Sequence, residues 1–290
     1  MDDFWIIMTG ILVASCGALL GSFLLLRKMT MIGDAISHAV LPGIVIAYLV
    51  TETRASLVML VGAALFGILT TVLIEWLSKR AKLQEDAAIG ISFTWMFAIG
   101  VILISAFSGS IDLDQDCVLY GEIAFVPLDT WTIGSLPPTP RTVWVLGGLL
   151  ILIVAFIVWA YKPLVMTSFD PVYAASAGIS TAVWHYALMG FVSLNTVLSF
   201  ESVGAILVIA FLVGPAAAAY LLTNNLPQMI LTAIGLGIVA AIGGYYLAVA
   251  IDGSIAGAMA VAIGIEFLLV LIYQKVFNPL RRHTRLNAIH

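Results

Sequence analysis

The sequence predicts an all-α polytopic membrane protein with nine transmembrane helices, or eight at the least. Three observations carry that prediction. The 290 residues are 62% hydrophobic and only 10% charged, with a mean hydropathy of +1.13, far more apolar material than a water-facing globular surface tolerates. The apolar residues gather in runs near the ~20 residues that cross a bilayer as a helix. The basic residues collect in alternate connections, as membrane topology demands. A single membrane domain over 1–277 and a tail over 278–290 are expected, with no separate soluble domain.

The first span, 4–26, opens as MDDFWII with no basic stretch ahead of it. It reads as a retained helix and not as a cleaved signal peptide. Arg27 and Lys28 follow it. They could discourage a cation from resting there or anchor the chain at lipid headgroups.

The second span, 32–50, carries Asp34 and His38, four residues apart. On a helix both project from one face, roughly 5–6 Å apart at Cβ. A carboxylate and an imidazole in register form half of a divalent-metal site. Pro42 has no N–H, so the His38 carbonyl loses its helical partner at the same level. A two-fold axis through this face would gather two carboxylates and two imidazoles. That set suits Mn²⁺, Fe²⁺ or Zn²⁺ better than Cu(I), which prefers sulfur. A polar contact within or between helices is the other reading of the pair.

The third and fourth spans are 55–77 and 87–107. Lys79, Arg80 and Lys82 lie between them. Glu75, one turn before Lys79, is expected to pair with it at the surface. The longest connection, about 108–141, holds Asp112, Asp114, Asp116, Glu122 and Asp129. It reads either as an ordinary polar outer loop or as a vestibule that attracts cations. Cys16 and Cys117 fall in an apolar span and in this loop, so neither a disulfide nor a metal cluster is expected.

The fifth span, 142–161, leads into KPLVMTSFDPVYAASAGIS, too polar and broken to cross. Ser168 or Asp170 can cap a short helix there, with Pro171 in its first turn and Gly178 at its end. The sixth span, 181–198, is diluted by His185, Ser193 and Asn195 and could be short or broken. His185 reads as a hydrogen-bonded packing residue. The seventh, 203–222, is rich in Gly and Ala, which favours close helix packing in lipid, and contains Pro215, a candidate kink. The eighth and ninth, 226–250 and 255–277, are likewise glycine-rich. Glu201 and Asp252 fall at predicted outer ends. Glu266 is mid-span, where a charge costs ~2.5–3.5 kcal/mol, and is expected to be protonated, paired or facing a wet path. With nine spans, every basic residue except Arg54 and Arg141 falls on one side. That side is predicted cytoplasmic, with the N-terminus outside and the C-terminus inside.

Four separated stretches resemble one family. The run RKMTMIGDAISHAVLPGIVIA is similar to the signature of the membrane subunits of bacterial manganese/zinc/iron ABC importers. So are DLDQDCVLYGEIAFVPLD, SFDPVYAASAGI and VGAILVIAFLVGPAAAAYLL. The likeness runs over essentially the whole chain except 278–290.

The resemblance implies a permease like those of type II ABC importers, multi-pass in the bacterial cytoplasmic membrane. It would pair as a homodimer or with a similar subunit. Two cytoplasmic ATPase subunits and an extracytoplasmic metal-binding protein would complete it. Asp34 and His38 would pass the metal. Phe169, Asp170, Pro171, Ala174 and Gly178 would belong to the coupling helix, about 168–178, that seats in the ATPase. Pro42, Pro215 and Glu266 are candidate path or gate residues.

The chain has no GxxxxGK[ST] loop, so ATP hydrolysis is assigned to a partner. No catalytic residue, permanently bound cofactor or nucleic-acid partner is expected. Two carboxylates tilt the cargo toward Mn²⁺ over Zn²⁺ or Fe²⁺. A stand-alone proton-coupled transporter, with Glu266 or His185 as relay, is the alternative. A membrane metalloprotease is disfavoured because no HExxH occurs.

Overall fold

The structure, a computed structural model, describes residues 2–51, 56–107, 123–131 and 139–277. Its helices in chain order are α1 (Asp2–Leu26), α2 (Met31–Ala39), α3 (Leu41–Thr51), α4 (Ser56–Arg80), α5 (Glu85–Phe107), α6 (Arg141–Trp159), α7 (Tyr161–Phe169), α8 (Pro171–Ser176), α9 (Thr181–Val203), α10 (Ala205–Leu222), α11 (Leu226–Ile251) and α12 (Ile255–Phe277). With α2 and α3 taken as one stretch, nine helical stretches among the described residues are long and apolar enough to cross a membrane. This meets the larger of the two predicted counts. The tail over 278–290, Arg54, Cys117, Asp112, Asp114, Asp116 and Glu122 lie outside the described residues.

The bundle is built around α1, which packs on α6, α9, α10 and α11. Its apolar window is 83% buried, against 22% for the window in α12, so α12 presents most of its surface outward, as a lipid-facing helix does. Glycine makes the central contact possible. A Cβ on Gly21 would overlap the Leu212 carbonyl of α10, and one on Gly17 would stand 2.9 Å from the Phe211 carbonyl. Pro215 lies four residues after Phe211 and has no N–H to offer that carbonyl. The helix nevertheless runs unbroken through Pro215. Pro215 itself is buried.

Two spans differ from expectation, in opposite senses. The sixth is a continuous 23-residue helix, α9. Its diluting residues Ser193 and Asn195 are buried, so they point inward and do not interrupt it. The break falls in the second span, between Ala39 and Leu41, where Pro42 removes a donor. The same logic ends α6. Pro163 cannot donate to the Trp159 carbonyl, and the chain turns at Ala160 into α7.

The stretch predicted as one short helix over about 168–178 is thus the end of one helix and the whole of another. Ser168 is not a cap. It lies inside α7 and donates to the Leu164 carbonyl at 2.6 Å. Of the outer connection, the described part forms a short 3₁₀ helix (Ile123–Leu128) and a two-stranded ribbon, β1 (Thr130–Trp131) with β2 (Thr139–Pro140). Ile123 and Val126 are buried, and the 3₁₀ segment packs against α1.

Candidate metal-transfer site

Helix α2 is amphipathic. Ile32, Ala35, Ile36 and Ala39 are buried on its inner face, against α4, α9 and α10. Asp34 and His38 fall on the other face, toward α5. Their side chains are 35% and 30% exposed, and His38 Nε2 stands 3.5 Å from Asp34 Oδ1. Two donors each about 2.1 Å from one ion lie roughly 3.0–3.4 Å apart, so the pair needs only a small adjustment to share a cation.

The His38 ring sits 5.9 Å from the rings of both Phe93 and Phe97 on α5. Those rings limit its rotation and shield one side from solvent. Ser37 donates to the Asp34 carbonyl at 2.6 Å, which braces the turn that carries both residues. The break after α2 adds a third ligand group. Pro42 cannot donate to the His38 carbonyl, while the flanking bonds persist, Val40 N to Ile36 O at 3.2 Å and Ile44 N to Val40 O at 3.1 Å. Pro42 itself is buried, and its ring packs where Gly100 of α5 leaves room. Gly43 and Gly62 then bring α3 and α4 together so closely that a Cβ on either would run into the other's carbonyl.

Among the described residues no group of three or more His, Cys, Asp or Glu side chains could hold a metal. One chain therefore offers two side-chain ligands and a carbonyl, an incomplete set at a partly exposed position beside α5. The structure does not bring Glu266 to this face. It is half-buried on α12, which packs mainly on α10 and α11. Glu75 contacts both Lys79 and Tyr186, as a near-surface ion pair should. His185 differs from its predicted role, because its Nε2 is buried without a hydrogen-bond partner.

The second site-bearing stretch is α8. Asp170 is its N-cap and accepts from the Tyr173 N–H at 2.8 Å, with Pro171 in the first turn. At the other end Gly178, at φ +80°, allows a two-bond closure, Gly178 N to Ala175 O at 3.1 Å and Ile179 N to Ala174 O at 2.9 Å. This is the Schellman arrangement that terminates a helix. Ala174 is fully buried, whereas Phe169, Val172 and Tyr173 are exposed. A short, doubly capped helix thus presents an apolar face outward at the basic end of the bundle.

A further residue was misread from sequence. Arg27 is not free for lipid headgroups. Its Nε donates to Ser168 Oγ at 2.9 Å and its Nη2 to Thr167 Oγ1 at 2.8 Å. Burial lowers its pKa to about 10, so it remains charged at physiological pH. No spacing rule reaches across the 140 residues between these partners.

The family model for the ABC 3 transport family matches residues 4–275. The chain belongs to that family. It is 46% identical over 284 residues to the manganese transport system membrane protein MntD of Bacillus subtilis, covering 98% of this chain and 96% of that one. It is 41% identical over 289 residues to the zinc transport system membrane protein TroD of Treponema pallidum, covering 98% of this chain and 77% of that one. Among solved structures it is similar to PsaBC from Streptococcus pneumoniae in complex with Fab. That match has a TM-score of 0.77 and 29% identity, over 98% of this chain and 94% of that chain.

Proposed function

We propose that this chain is the permease subunit of an ATP-driven importer of divalent transition metals, with Mn²⁺ the preferred cargo over Zn²⁺ and Fe²⁺. The observation that carries the reading is the one-third-exposed Asp34–His38 pair at 3.5 Å beside the proline-freed carbonyl of its own helix. A second permease, identical or similar, completes the ligand set across a two-fold axis. Relatives named for manganese and for zinc support the cargo class, and the two carboxylates of such a dimer tilt it toward the harder ion.

The basic end, with Arg27, Lys79 and Lys275, faces the cytoplasm, which puts the N-terminus outside and the C-terminus inside. The loaded extracytoplasmic binding protein delivers metal at the opposite end. The segment from the end of α7 through α8, with Phe169, Asp170, Pro171, Ala174 and Gly178, seats in the ATPase, to which the exposed Phe169, Val172 and Tyr173 offer apolar contact area. Residues 1–277 act as one transport domain. The ion binds weakly enough to leave because each chain supplies few ligands.

The test is uptake of radioactive Mn²⁺ and Zn²⁺ into vesicles bearing the whole importer. Uptake is expected to require ATP and the ATPase and to survive an uncoupler. Asp34→Ala or His38→Ala is expected to reduce it by more than the roughly 10–100-fold that loss of an outer-shell partner costs, with insertion and ATPase assembly intact. Wild-type uptake by either variant overturns the site, and loss of uptake with the uncoupler alone points to a proton-driven carrier.

A further inference from the structure

The linker between α1 and α2 is held in one shape by its own backbone. Lys28 N donates to Leu25 O and Met29 N to Leu24 O, both at 3.0 Å, with Lys28 at φ +59°. This is again the double closure of a helix end, here with a lysine where glycine is usual. It fixes the direction of the preceding side chain, Arg27, which reaches α7 two residues before the cap of α8. There the hydroxyl hydrogens are already engaged. Thr167 Oγ1 donates to the Pro163 carbonyl at 2.8 Å and Ser168 Oγ to the Leu164 carbonyl at 2.6 Å. Their lone pairs are therefore left to accept from the guanidinium, which donates to both as a fork.

We propose that the Arg27 fork on Thr167 and Ser168 is a positioning tie that transmits movement of α8 to the start of the metal-bearing helix α2. The inference rests on the transporter reading above. Four features carry it. The tie joins the backbone-closed α1–α2 linker to the end of α7, which leads through Asp170 directly into the doubly capped α8, so a displacement of α7 and α8 is delivered to the linker without loss in a soft loop. Thr30 and Met31, the beginning of α2, follow the linker directly, and Asp34 lies one turn further.

The partners are neutral hydroxyls, so the bonds are weaker than a buried ion pair and can break and re-form during a cycle. A cavity of about 380 Å³, lined by Arg27, Thr167, Ser168, Pro171, Glu75 and His185 among others, opens beside the tie. Side-chain packing is therefore discontinuous there, and the polar bonds carry the connection. Helix α9 touches α8 as well as α2 and is the competing route.

The test uses the complete importer, with its ATPase and binding protein, in proteoliposomes. ATP hydrolysis and Mn²⁺ uptake are measured together, and their ratio is the readout. Arg27→Ala is expected to keep hydrolysis within about twofold and to cut uptake roughly tenfold, the size of a lost charged hydrogen bond. The pair Thr167→Val with Ser168→Ala leaves Arg27 and α9 intact and is expected to raise ATP consumed per ion by a similar factor. Arg27→Lys keeps the charge without the fork and is expected to remain uncoupled, while Thr167→Ser keeps the acceptor and is expected to match wild type.

A wild-type ratio in Arg27→Ala, or in the Thr167/Ser168 pair should Arg27→Ala fail to assemble, overturns the tie. So does a proportional fall of hydrolysis and uptake. Neither outcome touches the transporter reading, whose failure would show as absent ATP-dependent uptake in the unmodified importer.

Discussion

Helices α1 and α2 are neighbours in the chain, joined by a short linker, and they are built for different ends. The apolar window of α1 is 83% buried, and Gly17 and Gly21 set its backbone against the backbone of α10. The α2–α3 stretch is 61% buried, is interrupted after Ala39, and leaves Asp34 and His38 about one-third exposed. In lipid there is little hydrophobic force between helices, so close contact has to come from small residues and fitted shapes. Helix α1 uses that device fully. Helix α2 gives it up on one face and keeps polar groups in its place. The difference separates stability from transport: damage to the first helix should unfold the protein, and damage to the second should silence it.

The strongest way to break that division is Gly21→Val. Its branched side chain would be driven into the Leu212 carbonyl, and backbone does not yield as a flexible side chain does. An overpacking cost of about 3 kcal/mol is expected, read as a large fall in melting temperature and in folded yield from detergent. The Asp34→Ala and His38→Ala variants, by contrast, should melt within roughly 0.5 kcal/mol of wild type, as partly exposed positions do. A Gly21→Val protein that melts normally would show that the α1–α10 approach is looser than its geometry.

The contrast also explains what sequence reasoning could reach. Spans were legible because apolar runs of membrane length and alternating basic loops are local signals. Asp34 and His38 were legible because a four-residue spacing is itself a statement about a helix face, and Asp170, Pro171 and Gly178 because caps are written in residue type. The coarse likeness to metal importers followed from those same motifs.

Long-range contacts were not legible. Arg27 with Thr167 and Ser168, Phe93 and Phe97 around His38, and Gly21 against Leu212 each depend on which helices meet. Composition also misplaced the interruption. It marked the sixth span as weak because of His185, Ser193 and Asn195, but polar residues that face inward leave a helix intact. The prolines at Pro42 and Pro163 mark the turns after Ala39 and at Ala160, whereas Pro215 is carried inside a continuous helix.

A smaller effect sharpens the comparison at α8. Removing the Asp170 cap, by Asp170→Ala, costs about 1 kcal/mol of local helix stability. The global melting temperature should hardly move, because α8 is a surface element of six residues. Binding of the ATPase should weaken about fivefold to tenfold, measured by co-purification or by titrating ATPase into permease vesicles. Unchanged ATPase affinity would mean that the helix is ordered by its neighbours and not by its cap.

The smallest effect is expected at the joint between the two regions. Lys28 occupies the left-handed region at φ +59° and is exposed. A residue with a Cβ pays about 1–2 kcal/mol there, while glycine pays about 0.5–1 kcal/mol in chain entropy on folding. Lys28→Gly should therefore stabilise the protein by roughly 0.5–1 kcal/mol, seen as a melting temperature higher by a degree or two. Uptake should stay near wild type, because the closure bonds of the linker are backbone bonds and Arg27 keeps its direction. If Lys28→Gly stabilises but slows uptake, the lysine charge acts on the ion leaving the α2 face. If it destabilises, the ammonium group has a partner that outweighs the backbone strain.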